Sequence, residues 1–223
     1  VLLIFRISAY ESGMFDSIKS SHVKRGSFSL VFKTWESAWK YLCCIFIGVP
    51  LWFVIGILIT FSPELGKALG MVQMPDPGKA VLFAYIGLAI GDFASGTLSQ
   101  LIQSRKKVSA LFMALMACFI GTYLFNNGAS LSIFYANCLA LGFAAGYWAV
   151  FVTIASEQFG TNIRSTVTTT VPNFVRGAVV PLTFFFQLLK PVCGILGAAA
   201  WVGAGRLALA VAALGFLEAT HGK

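Results

Sequence analysis

Two stripes of polar side chains within long apolar stretches contain the residues with the clearest chemistry. In residues 164–190 the polar positions recur at helical spacings and share one helical face: Thr166, Thr169, Asn173, Arg176, Thr183 and Gln187. In residues 79–103 a second face carries Tyr85, Asp92, Ser95, Ser99 and Gln103. A guanidinium group beside amides can bind an anion, and a carboxylate can carry a proton or balance a positive charge. We expect the two stripes to face a water-filled or polar cavity. In the alternative interpretation, the hydroxyl groups only bond to the backbone of their own helix.

The composition indicates which elements must position these side chains. The chain has 223 residues, of which 58% are hydrophobic and 11% charged, whereas soluble domains have about 25% charged residues. The mean hydropathy of +0.83 agrees with a protein whose main solvent is lipid. Because a helix satisfies its own backbone in hydrocarbon, the sequence predicts an all-α, polytopic transmembrane helix bundle. The six stretches long enough to span a bilayer are 39–62, 79–103, 107–126, 130–156, 164–190 and 192–217.

Three ionisable residues are predicted to lie near the middle of the membrane. Asp92 is about 13 residues from the outer end of its span, or ~19 Å, and Arg176 is about 12 residues from the inner end of its own. A charge at that depth costs roughly 2.5–3.5 kcal/mol, so it normally has a partner or a function. Asp92 could neutralise Arg176 in a structural ion pair, bind a proton or face a substrate. Arg206 has no acid in reach on its own helix, which leaves snorkelling or a partner elsewhere.

Other residues in the spans have two interpretations each. Tyr147 and Trp148 are deep in the fourth span and could stack on a ligand or simply pack. Two pairs of small residues predict close helix contacts: Gly87 with Gly91, and Gly142 with Gly146. The five cysteines lie in or beside apolar runs without a paired spacing, so no disulfide and no metal site is expected.

The distribution of cations predicts the topology. The side with most cations would receive Arg6, Lys19, Lys24, Arg25, Lys33, Lys40, Arg105, Lys106, Lys107, Arg164 and Lys223. The other side receives Lys67, Lys79 and Lys190. By the positive-inside rule the first side is cytoplasmic, in a plasma or inner membrane. The net charge of +8 is spread over short loops, which does not fit a nucleic-acid surface.

The two ends of the chain are predicted to lie outside the bundle of residues 39–217. The sequence opens with Val1 and an apolar run, which indicates that residues 1–13 are the tail of a preceding transmembrane helix in a larger protein. Residues 14–38 are predicted to be a cytoplasmic inter-domain linker, with the segment 28–32 on the membrane surface. Residues 218–223 would form a cytoplasmic tail.

Short loop motifs resemble those of one transporter family. Residues 157–166, EQFGTNIRST, resemble the E-x-F-P-T-x-V-R-x-T pattern of the major facilitator superfamily through Glu157, Phe159, Thr161 and Arg164. Residues 96–107, GTLSQLIQSRKK, are similar to that family's G-x-L-S-D-R-x-G-R-R loop, and the residues concerned are Gly96, Leu98, Ser99, Gln100 at the acidic position, Arg105, Lys106 and Lys107. Residues 10–15 are similar to an element that follows the sixth helix. The resemblance implies the end of that helix, the linker and helices seven to twelve of a twelve-helix transporter.

The resemblance implies a function for the polar stripes. The expected activity is secondary active transport of a small polar or anionic solute by alternating access, with substrate bound between this half and a missing amino-terminal six-helix half. The expected substrate contacts are Arg176, Asn173, Thr169, Tyr147, Trp148 and Tyr85, with Asp92 as counter-charge or carrier of a coupling proton; sodium is the other candidate ion. No cofactor is expected. The alternatives are a non-transporting helix-bundle scaffold or receptor, and a membrane-embedded transferase, for which the turns offer few reactive groups.

Overall fold

The computed structural model describes residues 28–217, and within that range the regular structure is helical. A 3-10 turn at Phe28–Phe32 precedes the first long helix. The α-helices, in chain order, are α1 Trp35–Phe53, α2 Ser62–Ala68, α3 Pro77–Ile102, α4 Arg105–Leu124, α5 Leu131–Ala145, α6 Trp148–Glu157, α7 Arg164–Gly177 and α8 Val179–Phe216. A π-helical segment, Val54–Ile59, extends α1. The all-helical class predicted from the sequence is therefore confirmed for this part of the chain.

Four of the helices begin at a side chain that caps their first turn. A helix start leaves backbone N–H groups without partners, and Ser, Thr or Asp oxygens satisfy them. The capping residues are Thr34, Asp76, Ser104 and Ser130, which accept hydrogen bonds from the N–H groups of Ser37, Lys79, Lys107 and Ile133 at 3.2, 2.8, 3.4 and 3.5 Å. These caps place the starts of α1, α3 and α4 a few residues before the predicted spans.

Three predicted spans are interrupted or joined in ways that periodicity does not reveal. The predicted span 130–156 is divided into α5 and α6 by non-helical backbone at Gly146 and Tyr147. The span 164–190 lacks one helical hydrogen bond at Ala178, because Pro181 has no N–H to donate to the carbonyl of Gly177, although the backbone of Ala178 stays helical. Helix α8 contains a left-handed residue, Gly194, with φ of +70°, at the boundary predicted between the last two spans.

Contacts between distant segments define two ends of the bundle. At one end, here called the Arg105 end, Arg105 forms an ion pair with Glu157, and the Lys106 ammonium group donates to the carbonyl of Leu217 at 2.5 Å. At the opposite end, the Glu64 end, Lys190 pairs with Glu64 at 2.6 Å. The last part of α8 therefore returns from the Glu64 end to the Arg105 end after Gly194, as the two separate predicted spans require.

Five stretches of helix are long and apolar enough to cross a membrane: Trp35–Ile59, Pro77–Ile102, Arg105–Leu124, Leu131–Glu157 and Arg164–Phe216. The fifth has 53 residues, about twice what one crossing needs. This fifth stretch consists of α7 and α8. Dividing it at Gly194 gives two stretches, so the total equals the six that the sequence predicts. Their length and composition suit a membrane protein.

The closest helix packing in the bundle joins α3 to α5. A Cβ atom on Gly142 would lie 2.0 Å from the carbonyl oxygen of Ala84, and one on Gly87 would lie 2.0 Å from that of Leu139. A Cβ atom on Gly146 would lie 2.4 Å from the backbone of Gly91. The small-residue pairs predicted to give close contacts do so, because only hydrogen atoms fit between these backbones.

The same packing corrects the prediction for part of the α3 polar stripe. Ser95 and Ser99 are 0% and 5% exposed and continue the row of small residues on the packed side of α3. Their hydroxyl groups therefore do not face a polar cavity. The prediction overlooked that Ser, like Gly and Ala, is small enough to bring two helices together.

Gly142→Ala is expected to destabilise the bundle by about 1–3 kcal/mol, because the added methyl group must push α3 and α5 apart. Thermal unfolding of the purified intact protein in detergent measures the change. Gly96→Ala is the matched control on α3, where an added Cβ meets nothing within 4 Å. This control should raise stability by about 1 kcal/mol through helix propensity. Equal effects of the two substitutions would contradict the packing described.

Several predicted features lie outside the described residues. These are the tail 1–13, the first part of the linker 14–38, the family-like element at residues 10–15 and the tail 218–223. Within the described part of the linker, Phe28–Phe32 forms the 3-10 turn and Thr34 caps α1.

Candidate functional site

Arg176 lies on α7 with its guanidinium group beside two neighbouring indole rings. Its Cζ atom is 5.6 Å from the ring centroid of Trp148 on α6 and 6.0 Å from that of Trp52 on α1. The two indoles are 6.4 Å apart and nearly perpendicular, at 75°. Each ring presents electron density to the cation, which stabilises a charge at this depth without neutralising it. Three helices thus fix the position of one guanidinium group.

Asn173 orients the guanidinium group from one turn earlier on α7. Its Oδ1 atom accepts a hydrogen bond from Arg176 Nη1 at 3.3 Å, and its Nδ2 atom donates to the carbonyl of Thr169 at 3.0 Å. Both Asn173 and Arg176 are exposed. Within residues 28–217 this is the single hydrogen bond of Arg176 to protein, although its side chain has five N–H donors. Donors therefore remain for a bound anion.

Asp92 on α3 caps the half-helix α6. Its Oδ1 atom accepts a hydrogen bond from the backbone N–H of Ala149 at 3.2 Å, in the first turn after the break at Gly146 and Tyr147. The N-terminus of a helix carries partial positive charge, which favours a carboxylate there. The break in the fourth predicted span thus brings a helix N-terminus to Asp92 inside the bundle, far from both ends.

Asp92 and Arg176 both contact the first turn of α6. Asp92 binds the backbone of Ala149, and Arg176 faces the ring of the preceding residue, Trp148. No ion pair joins Asp92 to Arg176 in the described structure, so the structural salt bridge considered from the sequence is not formed. The two opposite charges instead flank one aromatic residue. This arrangement leaves both charged groups able to engage a third component.

Three of the other predicted substrate contacts have different surroundings. Tyr147 is 0% exposed, and its hydroxyl group donates to the carbonyl of Ile47 at 2.8 Å. Its side chain is therefore held in the core, away from Arg176. Tyr85 is 47% exposed on α3, two turns before Asp92. Thr169 is exposed, but its hydroxyl group donates to the carbonyl of Ser165 at 2.9 Å.

Thr169 supports the simpler interpretation for its position in the α7 stripe, because its hydroxyl group bonds to its own helix. Thr168 and Thr170, which are not in the stripe, also donate to carbonyl groups of that helix. Thr170 in addition accepts a hydrogen bond from Tyr41 on α1 at 2.8 Å. The polar chemistry of α7 is therefore concentrated in Asn173 and Arg176.

Trp52 is a site residue that the sequence analysis missed. It lies well inside the first predicted span, whereas tryptophans of membrane proteins are usually enriched at the interfaces. Its Nε1 atom is buried and has no hydrogen-bond partner in the described part of the chain. The unusual position of Trp52 deep within a predicted span was the feature of the sequence that could have identified it as a site residue.

The loop motifs meet at the Arg105 end. Arg105 and Glu157 form an ion pair in which the side chains are 16% and 9% exposed. The Nε atom of Arg164 is buried without a hydrogen-bond partner in the described structure, and Lys107 is exposed. On α3, Gln100 is exposed and Gly96 faces open space. The two motifs are thus joined through Arg105 and Glu157, and Gln100 takes no part in that ion pair.

The Arg176 face, here meaning Trp52, Asp92, Trp148, Asn173 and Arg176, can bind charged and aromatic groups. A cleft of about 490 Å³ adjoins it at Asn173 and the break before α8. In the described part of the chain, no group of three or more His, Cys, Asp or Glu residues could hold a metal ion. No protein-family model, no curated protein and no solved structure matches this chain.

Proposed function

We propose that the chain forms six transmembrane helices of a secondary transporter, similar to the major facilitator superfamily, that carries a small polar or anionic solute. The main support for this proposal is the Arg176 face. A guanidinium group with unused donors and a carboxylate at a helix N-terminus lie on an accessible side of an apolar bundle. A structural role alone would favour direct pairing of the two charges.

A helix break supports this proposal. Transporters bind solutes near the midplane with discontinuous helices, because an interrupted helix offers backbone groups and a dipole to the ligand. Here α6 begins beside Asp92, and Pro181 leaves the carbonyl of Gly177, one turn after Asn173, without its usual helical donor. In the proposed mechanism Arg176 binds the anionic part of the solute. Asp92 caps the first turn of α6, or it takes up a coupling proton while the bundle rocks against the other half of the transporter.

The membrane orientation is part of the same proposal. The Arg105 end carries Lys33, Lys40, Arg105, Lys106, Lys107 and Arg164 among the described residues. The same end exposes aromatic rings suited to an interface, with Trp35 81% and Phe32 51% exposed. We therefore assign the Arg105 end to the cytoplasm by the positive-inside rule.

Water access to the Arg176 face tests the proposal against the scaffold alternative. Thr169→Cys should react with a membrane-impermeant thiol reagent at least about tenfold faster than Phe93→Cys, since a thiol must ionise in water to react. Phe93 is the matched control, because it is 79% exposed on the opposite side of α3 from the packed glycines and would face lipid. Both variants are made with exposed Cys118 replaced by serine.

Uptake by the intact protein in liposomes completes this test. Sugars, carboxylates and amino acids are screened, and a transported solute should also slow labelling of Thr169→Cys. Equal, slow labelling of both cysteines together with no uptake of any solute would contradict the transporter proposal and favour the scaffold.

A further inference from the structure

Arg206 lies in a groove that the Arg176 face does not explain. The groove runs between the two parts of α8 and has a volume of about 430 Å³, within the range of small-molecule sites. Its walls are mostly apolar: Phe185, Leu189, Val192, Cys193, Trp201, Val202 and Gly205. Arg206 is the charged residue in this lining, and the side chain has neither an ion pair nor a hydrogen bond within residues 28–217.

The depth of Arg206 prevents its charge from reaching water at either surface. It is 11 residues from Leu217 and 12 residues from Gly194, which corresponds to about 16 and 18 Å along the helix. Half of the hydrocarbon thickness is about 15 Å. An arginine side chain is shorter than that distance, so at the proposed membrane location a partner inside the groove accounts for the charge better than snorkelling does. An anion inside the groove would remove the cost of the isolated charge.

We propose that this groove binds a free fatty acid, with its carboxylate on Arg206 and its acyl chain along Trp201, Phe185 and Val192. A guanidinium group in the lining of an apolar groove matches a ligand with one anionic head and an apolar body. A phospholipid has similar chemistry, but its charged head group is held at the interface, about 15 Å away, whereas a fatty acid can enter the hydrocarbon as the neutral, protonated acid. The inference rests on the proposed membrane location and does not depend on transport.

Tryptophan quenching by a brominated fatty acid tests this site. Trp201 lines the groove and is 71% exposed, so bromine atoms on the chain of a bound dibromostearic acid would contact its indole. In nanodiscs of neutral phosphatidylcholine, the intact protein should show saturable quenching that Trp201→Phe abolishes. Arg206→Gln should raise the half-saturating concentration about tenfold, the value of one charge-assisted hydrogen bond. Arg206→Lys should keep it within about threefold, since the charge remains.

A second pair of variants tests the groove with Arg206 intact. A Cβ atom meets nothing within 4 Å at Gly205 or at Gly215, so both positions accept a larger side chain without a backbone clash. Gly205 lines the groove and Gly215 does not. Gly205→Leu should block saturable quenching, and Gly215→Leu should leave it unchanged.

Several results would overturn this inference. Quenching that stays the same in Arg206→Gln and Gly205→Leu would exclude the site. The same conclusion follows if the neutral methyl ester binds as well as the acid. Saturation with brominated phosphatidylglycerol but not with the free acid would assign the groove to phospholipid instead. If the intact protein takes up no solute but shows the expected quenching, the result would count against the proposed transport function and leave the fatty-acid site standing.

Discussion

Arg176→Gln is expected to lower the kcat/KM of solute uptake by the intact protein about 100-fold, because it removes the guanidinium group that would bind the anionic part of the solute. The lost pair of charge-assisted hydrogen bonds corresponds to about 2.7 kcal/mol. The neutral amide cannot replace the cation beside Trp52 and Trp148. Initial uptake rates in liposomes, measured over a range of solute concentrations, give the change.

The variant Arg176→Lys separates charge from geometry. Lysine keeps the positive charge but lacks the planar fork that stacks on indoles and binds an anion through two donors, so part of the loss should remain. Lys79→Gln removes an exposed cation in the first turn of α3 and serves as the control, with unchanged uptake expected. Normal kcat/KM in Arg176→Gln would remove Arg176 from the proposed substrate site.

Asp92 can be tested separately because asparagine preserves its cap. Asp92→Asn retains an oxygen that can accept the N–H of Ala149, so the unfolding temperature should change little. If Asp92 carries the coupling proton, uptake driven by a proton gradient should fall in this variant while exchange of solute persists. Loss of thermal stability without any effect on driven uptake would show that Asp92 is only a structural cap.

Glu157→Gln is expected to lower the free energy of unfolding by about 3–5 kcal/mol, because it leaves the largely buried Arg105 without its ionic partner. Glu64→Gln is the matched control, since it removes the carboxylate of a Glu64–Lys190 pair in which Glu64 is 51% exposed. An exposed pair contributes at most about 1 kcal/mol. Thermal or denaturant unfolding of the purified intact protein compares the two variants.

A double variant completes this comparison. Replacing Arg105 and Glu157 together by methionine removes both charges and leaves no buried group unpaired, so it should destabilise less than Glu157→Gln alone. Equal stability losses for Glu157→Gln and Glu64→Gln would show that the ion pair at the Arg105 end is no more important than a surface pair.

The helices themselves were largely predictable because their signals are local. Long apolar runs bounded by Ser, Thr or Asp caps identify α1, α3 and α4 within a few residues. The glycine pairs of α3 and α5 indicated their close contact, since four-residue spacing puts both members of a pair on one side of a helix. The break between α5 and α6 was not predicted, because a hydropathy pattern does not report whether the backbone is continuous.

The candidate site was only partly predictable, since helical periodicity assigns a face but not its environment. Asn173 and Arg176 were correctly placed on one face, because residues three positions apart lie on the same side of a helix. Tyr147 points into the core, and Ser95 and Ser99 serve packing. Trp52 was missed because it belongs to a helix without a polar stripe.

By itself, the sequence determined the helical class, the number of long apolar stretches and the positions of the unusual charges within those stretches, all of which depend on residues close along the chain. Only the tertiary structure decided that Asp92 caps α6, that Arg176 lies beside two indoles, and that Arg105 pairs with Glu157. These contacts join helices separated by tens of residues, and their geometry depends on how the helices cross. That geometry arises from the fit of whole helix surfaces, above all the glycine contacts of α3 with α5.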